Sequence, residues 1–347
     1  MADPIQTVIT VALNTAIDRI LEVKGFKVGA HARGRELSRF PAGKAINVSR
    51  ALARLGQPSI STGFVGKAEL DQFEGFMEAT GPGRIVCQLL SVRGKTRENV
   101  TIIDPVAHTD THIRDAGFQV VNSDVQRMLT KIGLLARPNT IIVISGSLPP
   151  GMDVHSLNLL LTVAISGGAR VVLDVGGPLL NQLATGMLPP DATNGAESPA
   201  DVPLLGDPDS SGGIWMVKPN RQELADMIGV VKLESEEQIV KAARRLARVI
   251  NYVPITLGAD GAFLVTRDQV LRGRLAIDPQ RITNTVGCGD CMVAGMIDAH
   301  LHGASSEQML RRGMAVATAN ALREGIAEFR MEQIKSLEDL AVIEPYD

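Results

Sequence analysis

At 347 residues, 45% hydrophobic and 21% charged, the chain has the size and balance of one large globular domain or two ordinary ones. Its formal net charge of −3 gives no global attraction for nucleic acid or acidic lipid. No apolar run reaches the roughly 18 residues of a membrane span, and the N-terminus, with Asp3 and no basic stretch, does not read as a signal peptide. Cys87, Cys288 and Cys291 make neither a disulfide framework nor a zinc-type pairing. These features leave a cytoplasmic protein as the expectation. Aromatic residues are only 3%, so Val, Ile, Leu, Ala and Met must build the core, packed closely with the help of 34 Gly.

Strand-like and helical segments alternate along most of the chain. Thr7–Leu13 reads as a strand, Ile46–Leu55 as a helix stopped by Gly56, Ser59–Gly63 as a short strand and Glu69–Ala79 as a helix. Ser123 is the expected N-cap of a helix ending near Ala136. Thr140–Ser145 (TIIVIS) and Arg170–Asp174 (RVVLD) are apolar runs of the kind buried on both faces, with a helix at Ser156–Ile165 between them. Ile214–Val217 is a strand leading to helices at Arg221–Ile228 and Ser235–Ile250. Pro254–Leu257 is a further strand, and Gly261–Thr266 with Val270–Arg274 forms a hairpin. Helices at Cys291–His302 and Ser305–Glu324 end the pattern.

The repeated strand-then-helix order predicts an α/β fold, a doubly wound and mostly parallel sheet flanked by helices. Two stretches without helical period, about 14–41 and 93–115, predict a small β-sheet lid on that body. The Pro-, Gly-, Asp- and Ser-rich segment at about 186–213 predicts a solvated loop insertion. Residues 1–347 then make a single domain.

The strongest candidate site is Asn284-Thr285-Val286-Gly287-Cys288-Gly289-Asp290-Cys291, followed by an apolar helix. Glycines before a helix let backbone approach a ligand closely, and the free N–H groups of the first turn attract an anion. Asp290 in that turn could take a proton from a hydroxyl attacking a phosphoryl group, or could simply cap the helix. Standard phosphate loops do not fit: Gly43-Lys44 is followed by Ala45 rather than Ser or Thr, and Met292 breaks a GxGxxG reading.

Ala42-Gly43-Lys44-Ala45-Ile46-Asn47 opens another helix, where a cation and helix N–H groups suit a small anion, or an exposed lysine. Arg97 could clamp a phosphate or lie on the surface, and Asp18 alone reads as a solvated strand charge. Asn220 and Glu223 have the spacing of a capping box, or of oxygens near a magnesium ion or its waters. Gly146–Gly151 ends a buried strand, where α/β sheets place ligands. Cys288 and Cys291 flank Asp290. Either the helix N-terminus activates these thiols, or they are buried and inert.

Taken in order, eight blocks resemble the PfkB (ribokinase-like) carbohydrate kinases: LNTAID at 13–18, AGKAINVSRALARLG at 42–56, TRENVTI at 96–102, SGSLPPG at 145–151, VVLD at 171–174, KPNRQEL at 218–224, TLGADGA at 256–262 and NTVGCGDCMVAGM at 284–296. Within that family the pattern is most similar to the sugar-phosphate branch of 1-phosphofructokinases and tagatose-6-phosphate kinases.

The resemblance implies Asp290 as catalytic base, with Gly287, Cys288 and Gly289 as the anion hole. It implies Asp18, Gly43 and Asn47 on sugar hydroxyls, and Lys44 and Arg97 with Asn99 on the phosphate already present. Lys218, Asn220, Thr256 and Gly258 would meet ATP, while Asn220 and Glu223 would organise Mg2+ indirectly, through water. The expected reaction is ATP-dependent phosphorylation of fructose 1-phosphate to fructose 1,6-bisphosphate. Tagatose 6-phosphate or fructose 6-phosphate are the alternative acceptors, and a non-catalytic sugar-phosphate sensor is the distant one. The resemblance also implies a homodimer formed through the lid. The chain departs from the family's usual GGKG at Ala42 and Ala45, and from GAGDS at Cys288 and Cys291.

Overall fold

The computed structural model describes residues 7–176, 179 and 213–346. Strands β1 (Thr7–Ala12), β4 (Ser59–Gly66), β5 (Ile85–Val92), β8 (Thr140–Ser145), β9 (Arg170–Asp174) and β10 (Gly213–Val217) form a parallel sheet in the order β10-β9-β8-β1-β4-β5. Their side chains alternate between two apolar layers. Ile142, Ile144, Val171 and Leu173 pack on one side, Ile141, Val143 and Val172 on the other. Burial on both faces is why these strands are continuous apolar runs.

Helices cover each face. On one side lie α3 (Asn122–Leu135), α4 (Val154–Ser166), α5 (Arg221–Met227) and α6 (Glu236–Leu246). On the other lie α1 (Lys44–Arg54), α7 (Cys288–Leu301) and α8 (Ser306–Ala321). The α7–α8 contact is close because two glycines face it. A Cβ at Gly295 would stand 2.9 Å from the Arg312 carbonyl oxygen, and one at Gly313 2.6 Å from Met296 Cγ. Part of the small aromatic set goes to the core, where Phe64, Phe73, Phe118 and Phe263 are fully buried. The core is thus not purely aliphatic.

The two helix-free stretches fold as a second sheet of β2 (Ala16–Glu22), β3 (Arg35–Ala42), β6 (Arg97–Asp104) and β7 (Thr109–Arg114), in the order β3-β2-β6-β7. The β2–β6 pair is parallel and both outer pairs are antiparallel. A third sheet contains β11 (Val253–Thr256), β12 (Ala262–Val265), β13 (Val270–Arg274) and β14 (Val342–Pro345). Parallel bridges Met216–Tyr252 and Asn220–Thr256 join it to β10 and the turn that follows.

Several boundaries differ from those expected. β4 runs on to Gly66, past Gly63. α3 begins at Asn122, so Ser123 lies inside the first turn rather than capping it, and Asp124 Oδ2 accepts the Val121 N–H at 3.2 Å. α7 begins at Cys288 rather than Cys291, because left-handed Gly287 (φ 77°) already turns the chain and its carbonyl accepts the Cys291 N–H. α6 stops at Leu246, short of Ile250, and α8 at Ala321, short of Glu324. Strands β5 and β14 and helix α9 (Met331–Leu340) are additional to the predicted set. Apart from Gly213, which opens β10, the 186–213 insertion lies outside the described residues.

The strand order reverses between β1 and β8. The chain moves outward from β1 to β4 and β5, then returns to place β8 on the opposite side of β1. At such a switch point the loops diverge and leave a crevice at the carboxyl ends of the strands. Asn14, just past β1, bridges it by donating to Ser147 Oγ (3.0 Å) and the Leu148 carbonyl (3.1 Å) beyond β8.

Candidate active site

The crevice gathers residues from four chain regions. α1 enters after Gly43, whose backbone (φ 140°, ψ 143°) marks an abrupt turn from β3. Its first turns present Lys44 and Asn47. β9 ends at Asp174, β10 leads into Lys218, and α7 begins with the glycine loop and Asp290.

Asn47 Nδ2 donates to Asp290 Oδ2 at 2.8 Å, while Asn47 Oδ1 is buried with no hydrogen-bond partner among the described residues. Asp290 is only 4% exposed. Burial, and next the negative charge of Asp174, push its carboxyl up to about 7; Asn47, Lys44 and Lys218 limit the rise. A carboxylate poised there is suited to proton transfer near neutrality.

Asp174 occupies the centre of the charge arrangement. Its Oδ1 lies 3.3 Å from Lys44 Nζ and 3.2 Å from Lys218 Nζ, and its Oδ2 accepts from Ser145 Oγ at 3.2 Å. Burial opposes its ionisation, but Lys218 and Lys44 hold the carboxyl below the usual range. Burial also works against the Lys44 charge, yet Asp174, Asp290 and Glu223 raise its pKa. Lys218 continues to the glycine loop: a Cβ at Gly289 would stand 3.0 Å from its Nζ. Two acids and two lysines thus meet where the loop N–H groups begin α7.

Asn320 holds that loop in shape. From the end of α8 its Nδ2 donates to the Val286 carbonyl (2.9 Å) and reaches Cys288 Sγ (3.4 Å), while its Oδ1 accepts the Ala327 N–H (2.8 Å). Gly287 is required at the turn, because a Cβ there would also strike Ile326 Cγ2 at 2.5 Å.

Asn220 and Glu223 form the capping box, each accepting the other's backbone N–H, at 2.9 and 2.8 Å. The bridge to Thr256 brings this helix start beside the 256–261 turn, where Gly258 has φ 64°. The second sheet carries the remaining candidates. Asn99 Nδ2 donates to Asp18 Oδ1 at 2.8 Å, and Arg97 Nη2 donates to the Asn14 carbonyl at 3.1 Å. Burial raises the pKa of Asp18 and lowers that of Arg97. No hydrogen bond or ion pair joins Lys44 to Arg97 or Asn99 among the described residues. Its ammonium sits with Asp174, on the side of Lys218 and Asp290.

A family model for pfkB family carbohydrate kinases matches residues 7–191 and 203–333. The chain belongs to the PfkB family of carbohydrate kinases. It is 32% identical over 307 residues to a 1-phosphofructokinase of Xanthomonas campestris, covering 88% of this chain and 87% of that one. It is 33% identical over 293 residues to a 1-phosphofructokinase of Rhodobacter capsulatus, covering 84% and 82%. Among solved structures it is similar to a possible 1-phosphofructokinase of Thermotoga maritima, with TM-score 0.81, 29% identity and coverage of 98% and 100%. The Escherichia coli phosphofructokinase-2 shares the fold at TM-score 0.80 and 22% identity.

In this PfkB kinase the thiols beside Asp290 are not activated. Burial pushes the Cys288 thiol up and the Cys291 thiol well up, with Asp290 adding to both. Three site residues were not singled out from sequence. Asp174 ended a recognised motif, and an acid closing a buried strand at the carboxyl edge was its signal. Asn320 was marked by a polar side chain on the buried face of a helix. Arg114 had no signal, since it nears the site only through strand register.

Proposed function

We propose that this PfkB kinase phosphorylates fructose 1-phosphate with ATP, giving fructose 1,6-bisphosphate and ADP. The observation that carries the chemistry is Asp290, buried at the first turn of α7 with its pKa near 7 and oriented by Asn47. The choice of sugar phosphate is supported by the names of the relatives at 32% and 33% identity.

In this reading Asp290 takes the proton of the acceptor hydroxyl as its oxygen forms a bond to the γ-phosphorus. The bond from that phosphorus to the bridging oxygen breaks, and the electron pair leaves with ADP. The N–H groups of Gly287, Cys288 and Gly289 receive charge developing on the transferred group. Lys218, beside Gly289, neutralises nucleotide phosphate. Asp18, Gly43 and Asn47 bind sugar hydroxyls, which fits the unpartnered Asn47 Oδ1. Arg97 holds the phosphate already on the sugar, with Asn99 beside it. Thr256 and Gly258 lie on the nucleotide side.

The oxygens of Asn220 and Glu223 are hard ligands with lone pairs left after capping, which fits magnesium bound mainly through water and phosphate. When bound there, the ion neutralises phosphate charge. Pairing of two chains through the four-stranded sheet belongs to the same proposal, and exposed Leu37 and Ile113 supply apolar surface for it.

The test is ADP release with fructose 1-phosphate. Turnover of fructose 6-phosphate or tagatose 6-phosphate in its place would move the acceptor assignment, and ligand binding without turnover would favour a sensor.

A further inference from the structure

The four-stranded sheet carries an inference that rests on the sugar-phosphate reading and deepens it. In register, Asp18 of β2 lies opposite Asn99 of β6, and Asn99 lies opposite Arg114 of β7. Opposed residues share a face of a sheet, as do residues two apart on one strand. Asp18, Asn99, Arg97 and Arg114 therefore project from one face.

The other face carries Arg19, Arg39 and Glu98. Its arginines are neutralised, Arg19 by Glu36 at 2.6 Å and Arg39 by Glu98 at 2.7 Å. On the first face, neither Arg97 nor Arg114 has a carboxylate within 4.0 Å among the described residues. Asp18 is engaged by Asn99 instead. That contact fixes the Asn99 amide, since only its NH2 side can face a carboxylate, and it leaves Oδ1 buried without a hydrogen-bond partner among the described residues. The Arg114 charge also reaches Arg97, adding to burial in lowering its pKa. Two guanidiniums that share the field of the single Asp18 carboxylate without a close ion pair, beside an unpaired acceptor, suit a ligand that carries both a phosphate and hydroxyls.

We propose that Arg114 is the second arm of the acceptor-phosphate clamp, holding the phosphate of the sugar together with Arg97, while Lys44 serves the transferred phosphoryl group. The clamp selects phosphorylated acceptors and has no part in the chemical step.

The test is titration calorimetry of fructose 1-phosphate into the wild-type full chain, Arg114→Gln and Arg114→Lys, with a non-hydrolysable ATP analogue titrated in parallel. Arg114 is exposed, so Arg114→Gln should fold, and an unchanged melting temperature checks this. Arg114→Gln should weaken fructose 1-phosphate binding about 10- to 100-fold, with the ATP analogue unchanged. Arg114→Lys, which keeps the charge but not the fork, should recover part of the loss. Unchanged sugar-phosphate affinity in Arg114→Gln, an equal loss for both ligands, or no binding by the wild type would overturn the clamp. Intact wild-type binding without turnover would count against the kinase reaction and leave the clamp standing.

Discussion

Asn47 Nδ2 lies 2.8 Å from Asp290 Oδ2, joining the start of α1 to the start of α7 across 243 residues of sequence. The contact orients the Asp290 carboxylate, the proposed base, and favours its ionised form against burial. Asn47→Ala should therefore raise the Asp290 pKa further. Since the base must be ionised to act, the acidic limb of the kcat/KM profile should move from near pH 7 to higher pH. An unmoved limb would separate the two groups functionally.

Replacing the base itself gives a larger effect. Asp290→Asn should lower kcat by about 10²–10⁴ with little change in KM. The same change bears on stability. The folded-state pKa is raised to about 7 from the ordinary 3.8, so between these values the folded chain holds a proton the unfolded chain has released. That contribution is present below the unfolded pKa and is lost as pH rises through 7. Asp290→Asn should thus stabilise the unliganded protein at pH 8, on the order of 1 kcal/mol, read by thermal unfolding at pH 5 and pH 8.

Asp174 should move the acidic limb in the direction opposite to Asn47. Its charge is the second cause of the raised Asp290 pKa, and its Oδ1 seats both Lys44 and Lys218. Asp174→Asn should shift the acidic limb of kcat/KM to lower pH. It should also reduce kcat about tenfold or more, because two buried or half-buried lysines lose their seat. A rate profile that keeps its limb near 7 would remove Asp174 from the electrostatics of the base.

Gly289→Ala tests the approach of Lys218 to the anion loop. The new Cβ would stand 3.0 Å from Nζ and 3.4 Å from Cε, so the lysine must retreat. We expect a higher KM for ATP and a lower kcat, with fructose 1-phosphate affinity retained. Loss of both affinities together would mean a wider collapse of the loop.

The cysteines give a chemical check. With both thiols pushed toward the protonated form, the native enzyme should resist alkylation at neutral pH and keep its activity. Rapid, ATP-protected inactivation would show a reactive thiol beside the base.

The layers of the α/β body were readable because burial on both faces writes itself into runs such as Thr140–Ser145 and Arg170–Asp174. Gly287, Asp290 and Asn220 were readable because loop glycines and helix starts are local. What escaped depends on distant pairing or weak pattern. α9 buries only Ile334 and Leu337 of its ten residues, too few to mark a period. β14 is a four-residue edge strand with little buried surface. Arg114 reaches Asn99 only through the β6–β7 register, and Lys44 meets Lys218 only through Asp174 at the end of β9.

The most direct test of the central claim is the initial rate of ADP release with ATP and magnesium, compared across fructose 1-phosphate, fructose 6-phosphate, tagatose 6-phosphate, fructose and ribose. The account predicts the highest kcat/KM for fructose 1-phosphate and a product identified as fructose 1,6-bisphosphate. Equal or better turnover of unphosphorylated fructose or ribose would contradict it.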